Sequence, residues 1–384
     1  MDLTCEQEQF QRALALVSRA VAAKTSMPVL SNVLLTAEHD ALRIAATNLE
    51  IGISTAIAVA VAEPGQVTVD ARLLGEFVAT LPAGNVRLRS QPAKFSLNVQ
   101  SGEGRRATTA DINGMDPDDF PVLQPETGGG FAATVDPAAH REIIAQVEFA
   151  AAADESRPVL AGVLARFEES RLTLATADGF RLAVRSGPLA EPAPEKLDAI
   201  VPARAMRELA RIIADATEPV RLALTPNRSQ LVVRVDGTVF LSRLIEGTFP
   251  DYRAIVPREF ATTVTIGRDA LQTAVRRSSY FARDNNDVIR LTVAGAEDDG
   301  DLGSVEVSAN AAERGSSQSF VDAGVSGPGM QIAFNARFLT EVLGVLRSGQ
   351  VMLGFNGSNQ AGVVRPADGG DYDHVIMPMV IGAN

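Results

Sequence analysis

One short segment recurs three times along this chain at nearly constant spacing. Residues 203–214 read Ala-Arg-Ala-Met-Arg-Glu-Leu-Ala-Arg-Ile-Ile-Ala, and related segments start at Ala71 and at Ala336. Ala71 and Ala203 lie 132 positions apart, and Ala203 and Ala336 lie 133 apart. One third of the 384 residues is 128, which is close to both spacings. A repeat at a fixed period indicates duplicated structural units, so the chain is predicted to contain three copies of one domain.

Two further matches share a single offset. Residues 156–164 (Ser-Arg-Pro-Val-Leu-Ala-Gly-Val-Leu) repeat the pattern of residues 26–34 (Ser-Met-Pro-Val-Leu-Ser-Asn-Val-Leu) at an offset of 130. Residues 172–178 repeat the pattern of residues 42–48 at the same offset. Two independent matches at one offset are hard to obtain by chance, and they strengthen the case for duplication.

The recurrent segment has the pattern of an amphipathic helix. Three apolar residues have the spacing of one buried stripe: Met206, Leu209 and Ile213. Three arginines repeat that spacing on the opposite face: Arg204, Arg207 and Arg211. Short β-type runs precede and follow the segment, so each unit reads as strand, helix, strand.

The rest of the chain alternates predicted helices with predicted strands, which indicates an α+β fold. Further helices are predicted after an N-cap-like start at Thr4-Cys5-Glu6, after the N-cap Asp136 with Pro137 in the first helical position, and from Arg268 to about Ala282. The predicted strands are 32–38, 41–47, 51–59, 66–70, 85–90, 95–100, 105–111, 131–135, 172–178, 199–202, 220–224, 288–293, 304–309, 317–321, 350–355, 362–366 and 374–379.

Two turn-rich stretches divide the chain. Residues 125–130 read Pro-Glu-Thr-Gly-Gly-Gly, which is typical of a flexible break, and residues 247–252 read Gly-Thr-Phe-Pro-Asp-Tyr. The predicted domains are therefore 1–125, 130–250 and 256–384.

Nothing in the sequence indicates a catalytic residue, a cofactor or a metal site. The single cysteine, Cys5, excludes an internal disulfide, and the three histidines (His39, His140 and His374) lack metal-ligand spacing. No phosphate-binding glycine loop is present. Residues 298–301 resemble part of a calcium loop without its glutamate and are predicted to form a solvated hairpin loop. An enzyme with a dispersed carboxylate site remains an open alternative.

No apolar run approaches about 20 residues, and the first residues lack the basic start and apolar centre of a signal peptide. A cytoplasmic protein is expected.

Arginine recurs on the outer faces of the predicted helices, although the net charge is −12. The residues are Arg12, Arg19, Arg72, Arg141, Arg204, Arg207, Arg211, Arg276, Arg283, Arg337 and Arg347, and Arg268 is predicted to share a face with Arg276 and Arg283. If these helices share one surface, the acidic groups are expected on the opposite surface. Such a surface would bind phosphates without reading bases, because no interleaved aromatic residues offer stacking.

Each predicted domain ends in strands that need partners across a domain boundary. Three domains in an open row leave unpaired edges at both ends, and unpaired edges are association sites. A head-to-tail contact that closes forms a ring, although this argument leaves the number of chains open.

Motifs along essentially the whole chain resemble those of the bacterial sliding clamps, the beta subunits of DNA polymerase III. They are Met27-Pro28-Val29-Leu30-Ser31-Asn32, Ala45-Ala46-Thr47-Asn48-Leu49-Glu50, Asp119-Phe120-Pro121, residues 177–184, residues 247–252, Phe334-Asn335-Ala336-Arg337 and Val375-Ile376-Met377-Pro378-Met379.

The resemblance implies three tandem clamp domains, each with two helices on antiparallel sheets, and a head-to-tail ring of two chains around duplex DNA. It also implies Lys24, Arg72 and Arg204 near the DNA channel. The implied partners are a second copy of the chain, the alpha subunit of the replicative polymerase, the clamp loader complex, and other polymerases and repair proteins. A non-ring interaction scaffold is the alternative.

The family also has a cleft for short apolar peptides of its partners. By position, its wall would be Leu160, Ala177, Gly179, Phe180, Arg181, Leu182, Pro250, Ile255, Asn335, Phe338, Val375, Ile376, Met377, Pro378 and Met379. Three departures bear on peptide preference: Phe180 replaces a frequent histidine, Ala254 replaces a frequent arginine, and residues 380–384 replace a shorter tail.

Overall fold

The computed structural model describes residues 1–22, 24–102, 104, 107–121, 123, 132–154, 156–295, 303–311 and 315–380. The predicted flexible break at 125–130 and the predicted hairpin loop at 298–301 lie outside these residues.

The described residues form six α-helices. They are α1 (Gln7–Val17), α2 (Ala71–Thr80), α3 (Pro137–Val147), α4 (Ala203–Ile212), α5 (Arg268–Ala282) and α6 (Ala336–Val345). The helices α2, α4 and α6 are the three recurrent segments, and Pro137 occupies the first helical position as predicted. No helix in the described ranges is long and apolar enough to cross a membrane.

The part of the chain that the structure describes also forms twenty-five strands, and all the strand pairs found there are antiparallel. They are β1 (Asp2–Glu6), β2 (Asn32–Glu38), β3 (Ala41–Thr47), β4 (Ile51–Ala58), β5 (Ala60–Glu63), β6 (Gly65–Asp70), β7 (Asn85–Gln91), β8 (Ser96–Ser101), β9 (Thr108–Met115), β10 (Ala132–Val135), β11 (Gly162–Glu168), β12 (Arg171–Ala177), β13 (Arg181–Pro188), β14 (Leu197–Pro202), β15 (Val220–Leu224), β16 (Gln230–Val235), β17 (Thr238–Arg243), β18 (Thr262–Gly267), β19 (Val288–Ala294), β20 (Gly303–Ala311), β21 (Gly315–Ser326), β22 (Met330–Asn335), β23 (Gln350–Phe355), β24 (Gly362–Pro366) and β25 (Tyr372–Ile376).

The chain folds as two compact units. The first comprises residues 1–138, 189–195 and 208–244, and the second comprises residues 139–188, 196–207 and those from 245 onward. The first unit contains a 13-stranded sheet in the order β10-β15-β16-β17-β4-β3-β2-β6-β9-β8-β7-β1-β5. The second contains a 12-stranded sheet in the order β14-β11-β12-β13-β25-β24-β23-β18-β21-β20-β19-β22. Each unit takes part of the middle segment, so the domain bounds 1–125, 130–250 and 256–384 stay a prediction.

One pairing rule operates in both sheets. The third strand after the first helix of a repeat pairs with the last strand of the next repeat, as β4 with β17 and β13 with β25. The predicted need for pairing across repeat boundaries is therefore met twice within the chain.

Helix faces follow the predicted pattern. Met206 and Leu209 of α4 and Ile213, the residue after it, are buried, whereas the three arginines of α4 are exposed. In the first and last repeats the two helices pack against each other, α1 with α2 and α5 with α6, so their apolar stripes face the sheets and each other.

Several sequence predictions were wrong in detail. Thr4-Cys5-Glu6 belongs to strand β1, and Glu6 makes no side-chain cap to α1. The short edge strand β5 was not predicted. The last strand ends at Ile376 rather than Met379. Arg268 does not share the exposed face of Arg276, because its Nη1 donates to Leu346 O at 2.8 Å and the side chain is half-buried.

Candidate functional sites: helical arginines and an apolar cleft

All the predicted DNA-facing residues are exposed. They are Lys24, Arg12, Arg19, Arg72, Arg141, Arg204, Arg207, Arg211, Arg276, Arg283 and Arg337. Lys24 lies in the loop between α1 and β2, and the arginines lie on helices or immediately after them. The structure therefore places each residue on a solvent-facing surface of its own unit.

Carboxylates accompany several of these arginines in the first unit. Glu208 bridges two of them, with Oε2 at 3.4 Å from Arg19 Nη1 and Oε1 at 2.7 Å from Arg211 Nη1. Arg72 Nε donates to Glu76 Oε1 at 2.8 Å, one helical turn away, and this hydrogen bond raises the pKa of Arg72.

The second unit repeats the arrangement. Arg207 Nε and Nη2 both donate to Glu148 Oε2, at 3.0 and 2.7 Å. Arg337 Nε donates to Glu341 Oε1 at 2.9 Å, which raises the pKa of Arg337. The expectation that acidic groups avoid the arginine-bearing faces is therefore wrong, because glutamates lie beside the arginines: Glu76, Glu208 and Glu341 on the same helices, and Glu148 in the turn after α3.

Other exposed arginines have no carboxylate within ion-pair distance among the described residues. They are Arg12, Arg141, Arg204, Arg276 and Arg283. The guanidinium of Arg283 lies over the ring of Tyr280 instead, at 5.4 Å from its centroid. The candidate DNA-facing arginines thus fall into a paired class and an unpaired class.

The candidate peptide cleft forms where the chain leaves β25 in the second unit. Arg181 pairs with Ile376 and Leu182 with Val375 between β13 and β25. Beyond the strand, Met377 N donates to Phe180 O and Met379 N donates to Ala333 O, both at 2.8 Å. Two backbone hydrogen bonds thus hold residues 377–379 beside the β12–β13 turn and β22.

Large apolar side chains are exposed around this segment. The exposed fraction is 65% for Phe180, 48% for Ile255 and 45% for Met377. Gly179 and Pro250 are also exposed, and six further predicted wall residues are half-buried: Leu160, Ala177, Asn335, Phe338, Pro378 and Met379. Solvent-facing apolar groups of this size are unusual unless they serve an interaction.

Three predicted wall residues lie beneath the surface. Leu182, Val375 and Ile376 are buried, and the first two join an apolar cluster with Phe249 and Tyr252. Residues missed by sequence reasoning complete this layer: Val159, Val256, Ala361 and Val363. Val159 lies in the Pro-Val-Leu repeat, which was the available signal, but nothing in the sequence distinguished the other three.

Arg181 is a support for the cleft rather than part of its wall, because its side chain is only 4% exposed. Its Nε donates to Asp178 Oδ2 at 3.0 Å, Nη2 donates to Phe149 O at 2.8 Å, and Nη1 donates to Glu341 Oε2. The guanidinium carbon lies 4.4 Å from the ring centroid of Phe338. A buried cation is tolerated only with such partners.

Local backbone chemistry shapes the turn that presents Phe180. Asp178 Oδ1 accepts hydrogen bonds from the backbone N–H groups of Phe180 and Arg181, both at 2.9 Å. Gly179 has φ +93°, a left-handed conformation that favours glycine. Asn335 is also occupied, since its Oδ1 accepts from Arg337 N at 2.9 Å and caps α6.

Strand β25 contains a buried histidine, His374. Burial lowers the pKa of His374 to about 3, so the ring is neutral at ordinary pH. It stacks on Phe149 at a centroid distance of 5.6 Å, and the Tyr372 hydroxyl lies 3.3 Å from Nδ1. No cluster of potential metal ligands occurs among the residues that the structure describes.

Family models match consecutive parts of the chain. The model of the DNA polymerase III beta subunit N-terminal domain matches residues 1–124, the central-domain model matches 134–251, and the C-terminal-domain model matches 253–380. The beta sliding clamp of a Synechocystis species is 32% identical, and the match covers 99% of each chain. The beta sliding clamp of Bacillus subtilis is 26% identical over 99% of each chain.

Solved structures give the same result. The Bacillus subtilis sliding clamp superposes with a TM-score of 0.92 at 26% identity, over 99% of both chains. The Pseudomonas aeruginosa clamp bound to griselimycin has a TM-score of 0.90 at 29% identity, and the match covers 99% of this chain and 100% of that one. The predicted fold of three tandem clamp domains is thereby confirmed, and the chain belongs to the beta sliding clamp family, the non-catalytic beta subunits of DNA polymerase III.

Proposed function

We propose that two copies of this chain close head to tail into a ring around duplex DNA and tether the replicative polymerase to it. The observation that carries ring closure is the pairing rule of the sheets. Within one chain the rule is satisfied by β4 with β17 and by β13 with β25. The counterparts left over are β21, the third strand of the last repeat, and β9, the last strand of the first.

Each of these two strands has a free edge among the described residues. Residues 315–322 of β21 pair only with β20, and residues 108–113 of β9 pair only with β8. The side chain of Phe320 on β21 is also exposed. Pairing β21 of one copy with β9 of another would extend the rule and remove both free edges.

The repeat also specifies a register. Ile51, Arg181 and Gly315 are the first residues of their strands, and Ser242, Ile376 and Ile112 are the fifth residues of theirs. Ile51 pairs with Ser242 and Arg181 pairs with Ile376. Gly315 of one copy should therefore face Ile112 of the next, and Gln318 should face Thr109.

Cysteine cross-linking tests this proposal. Directly opposed residues in antiparallel strands have Cβ atoms about 5 Å apart, within reach of a disulfide. The double variant Thr109→Cys, Gln318→Cys should form two disulfides per ring on mild oxidation and run as a covalent dimer on a denaturing gel. The native Cys5 should not interfere, because it is buried and burial raises its pKa to about 12.

The matched control moves one cysteine along the strand. Thr109→Cys, Asp322→Cys displaces the second thiol by four residues, roughly 13 Å, and should not cross-link. A ladder of oligomers from the first variant would contradict closure, and a monomer would contradict the register. The ladder would favour a non-ring scaffold.

DNA passage is supported by exposed arginines on helices in each repeat. Their side chains present guanidinium groups without adjacent stacking aromatics, except at Arg283, which suits phosphate contact that is independent of sequence. Because the ring encloses DNA, retention does not require tight contacts, and weak contacts permit sliding. We place this activity in the cytoplasm.

The cleft around Met377 is proposed to bind short apolar peptides. Its proposed partners are the polymerase alpha subunit, the clamp loader complex, and other polymerases and repair proteins. Exposed Phe180, Ile255 and Met377 supply apolar area, and methionine adapts to varied peptides.

A further inference from the structure

Three glutamates are paired with candidate DNA-facing arginines: Glu76 with Arg72, Glu148 with Arg207, and Glu208 with Arg19 and Arg211. Glu208 accepts from a helix of its own repeat and from the segment after α1, and Glu148 accepts two hydrogen bonds from one guanidinium. The arrangement recurs in both units, so it is not a feature of one helix.

These ion pairs contribute little to folding stability. Their arginine side chains are between 41% and 86% exposed, and exposed ion pairs contribute about 0–1 kcal/mol each. They nevertheless cancel positive charge on the helix faces proposed to meet DNA. Other exposed arginines, such as Arg12 on α1 and Arg204 on α4, have no such partner among the described residues. Carboxylate pairing therefore follows from where glutamates are placed rather than from arginine exposure.

We propose that Glu76, Glu148 and Glu208 act as positioning residues that weaken the contact between these arginines and DNA phosphates. Each glutamate occupies one or two N–H donors of its arginine and offsets the positive charge of the guanidinium. A phosphate therefore either displaces the carboxylate, which exchanges one ionic contact for another, or binds the remaining donors of a guanidinium whose charge is already partly cancelled. The net free energy of each exchange is small, and the arginine regains its glutamate when the phosphate moves on. The glutamates thus keep the DNA contact weak enough for sliding. This inference rests on the proposed function, because it requires the helix faces to meet DNA.

Glu341 is left out of the test although it pairs with Arg337. It also pairs with buried Arg181, so its loss would disturb the cleft support. The other three glutamates make their described ion pairs only with exposed arginines.

The test uses the full chain with Glu76→Gln, Glu148→Gln and Glu208→Gln combined. These changes remove the paired carboxylate from four arginines per copy with little change in side-chain size. Binding to a linear duplex of about 30 base pairs is followed by fluorescence anisotropy between roughly 50 and 200 mM salt. The variant should bind at least about tenfold more tightly at the lower salt, and its slope of log K against log salt should steepen by about 2 or more. A purely structural role would not change this slope.

The matched control is Glu195→Gln. Glu195 pairs with exposed Arg228 at 2.7 Å, but neither residue lies on a helix. Once its one unit of net charge is allowed for, Glu195→Gln should bind the linear duplex with an affinity within about twofold of the parent's. Its slope of log K against log salt should stay within the same factor. If Glu195→Gln raised the affinity for DNA as much per glutamate as the triple variant does, the inference would be overturned, because the effect would be a general one of net charge.

Retention on circular DNA separates the two proposals. If the parent is retained topologically and the triple variant binds the linear duplex no more tightly, only the role of the glutamates is overturned. If the parent is not retained on circular DNA, the ring proposal itself fails. Slower one-dimensional diffusion of the loaded triple variant on DNA would support the inference directly.

Discussion

The two junctions between repeats have the same backbone and different side chains. At the first, Arg243 N donates to Glu50 O at 2.8 Å, and at the second, Met377 N donates to Phe180 O at 2.8 Å. Each preceding turn is closed in the same way. Asn48 Oδ1 accepts from the N–H groups of Glu50 and Ile51, as Asp178 Oδ1 does from those of Phe180 and Arg181.

The differences lie in three equivalent pairs of residues. Glu50 is replaced by Phe180, Arg243 by Met377, and Ile51 by Arg181 in the second junction. The first junction therefore exposes two charged side chains, Glu50 and Arg243, next to buried Ile51. The second exposes two apolar side chains, Phe180 and Met377, next to buried Arg181. The comparison teaches that the repeat supplies the frame, whereas a few substitutions give the second junction the exposed apolar surface on which peptide binding is proposed.

The largest expected effect comes from placing a charge in the second junction. Met377→Asp should weaken binding of a partner peptide at least about a hundredfold, because it removes buried apolar area and adds a carboxylate without a partner. Arg243→Asp changes the equivalent backbone position of the first junction and should alter binding less than about threefold. The measurement is peptide affinity by calorimetry, together with polymerase stimulation. Equal processivity from Met377→Asp would refute the cleft assignment.

A smaller effect is expected from removing the buried cation. Arg181→Met should lower the free energy of unfolding by about 3 kcal/mol, because Asp178 and Glu341 lose a shared partner while remaining only partly exposed. The equivalent change in the first junction, Ile51→Met, should cost less than about 1.5 kcal/mol. Urea unfolding of both variants measures the difference. Equal losses of unfolding free energy in the two variants would show that Arg181 fills space and does not stabilise the two carboxylates.

The smallest expected effect concerns pH. His374 is the third residue of β25, and its counterpart in β17 is buried Phe240. In the folded state the pKa of His374 is about 3, whereas an unfolded histidine titrates near 6.5. Below pH 6.5 the unfolded chain therefore binds a proton that the folded chain excludes, and stability falls as pH falls toward 3.

Between pH 7 and pH 5 this histidine should cost about 2 kcal/mol of unfolding free energy. His374→Phe, which copies the first junction, should remove that part of the pH dependence. His140 remains in both proteins, and burial lowers its pKa to about 4, so some dependence is retained. Identical pH profiles for the parent and His374→Phe would contradict the neutral buried ring.

Much of the fold follows from local sequence patterns. The bounds of β2, β3, β23 and β24 and of α5 agree with the sequence predictions, because alternation and helical spacing are strong there. Strand β1 was missed because its residues lie directly before a helical stripe and resemble a cap. Strand β5 was missed because Ala60–Glu63 is short and has little apolar contrast.

The candidate sites were less predictable than the fold. Sequence position placed Arg181 in the cleft wall, but its burial depends on Asp178, Phe149 and Glu341, which are distant or ambiguous in sequence. The pairing of Arg19 with Glu208 spans 189 residues and has no local signal. Helical spacing predicted which arginines are exposed, but it could not predict which of them carry a carboxylate partner.

The central claim is that DNA is retained by enclosure rather than by affinity. The most direct measurement loads the protein onto nicked circular DNA with a clamp loader and ATP, isolates the complex, and cuts the circle once. The account predicts that the protein stays on the circle at high salt and leaves when the DNA becomes linear. Protein that remains on the linear DNA and is removed only by salt would contradict the ring.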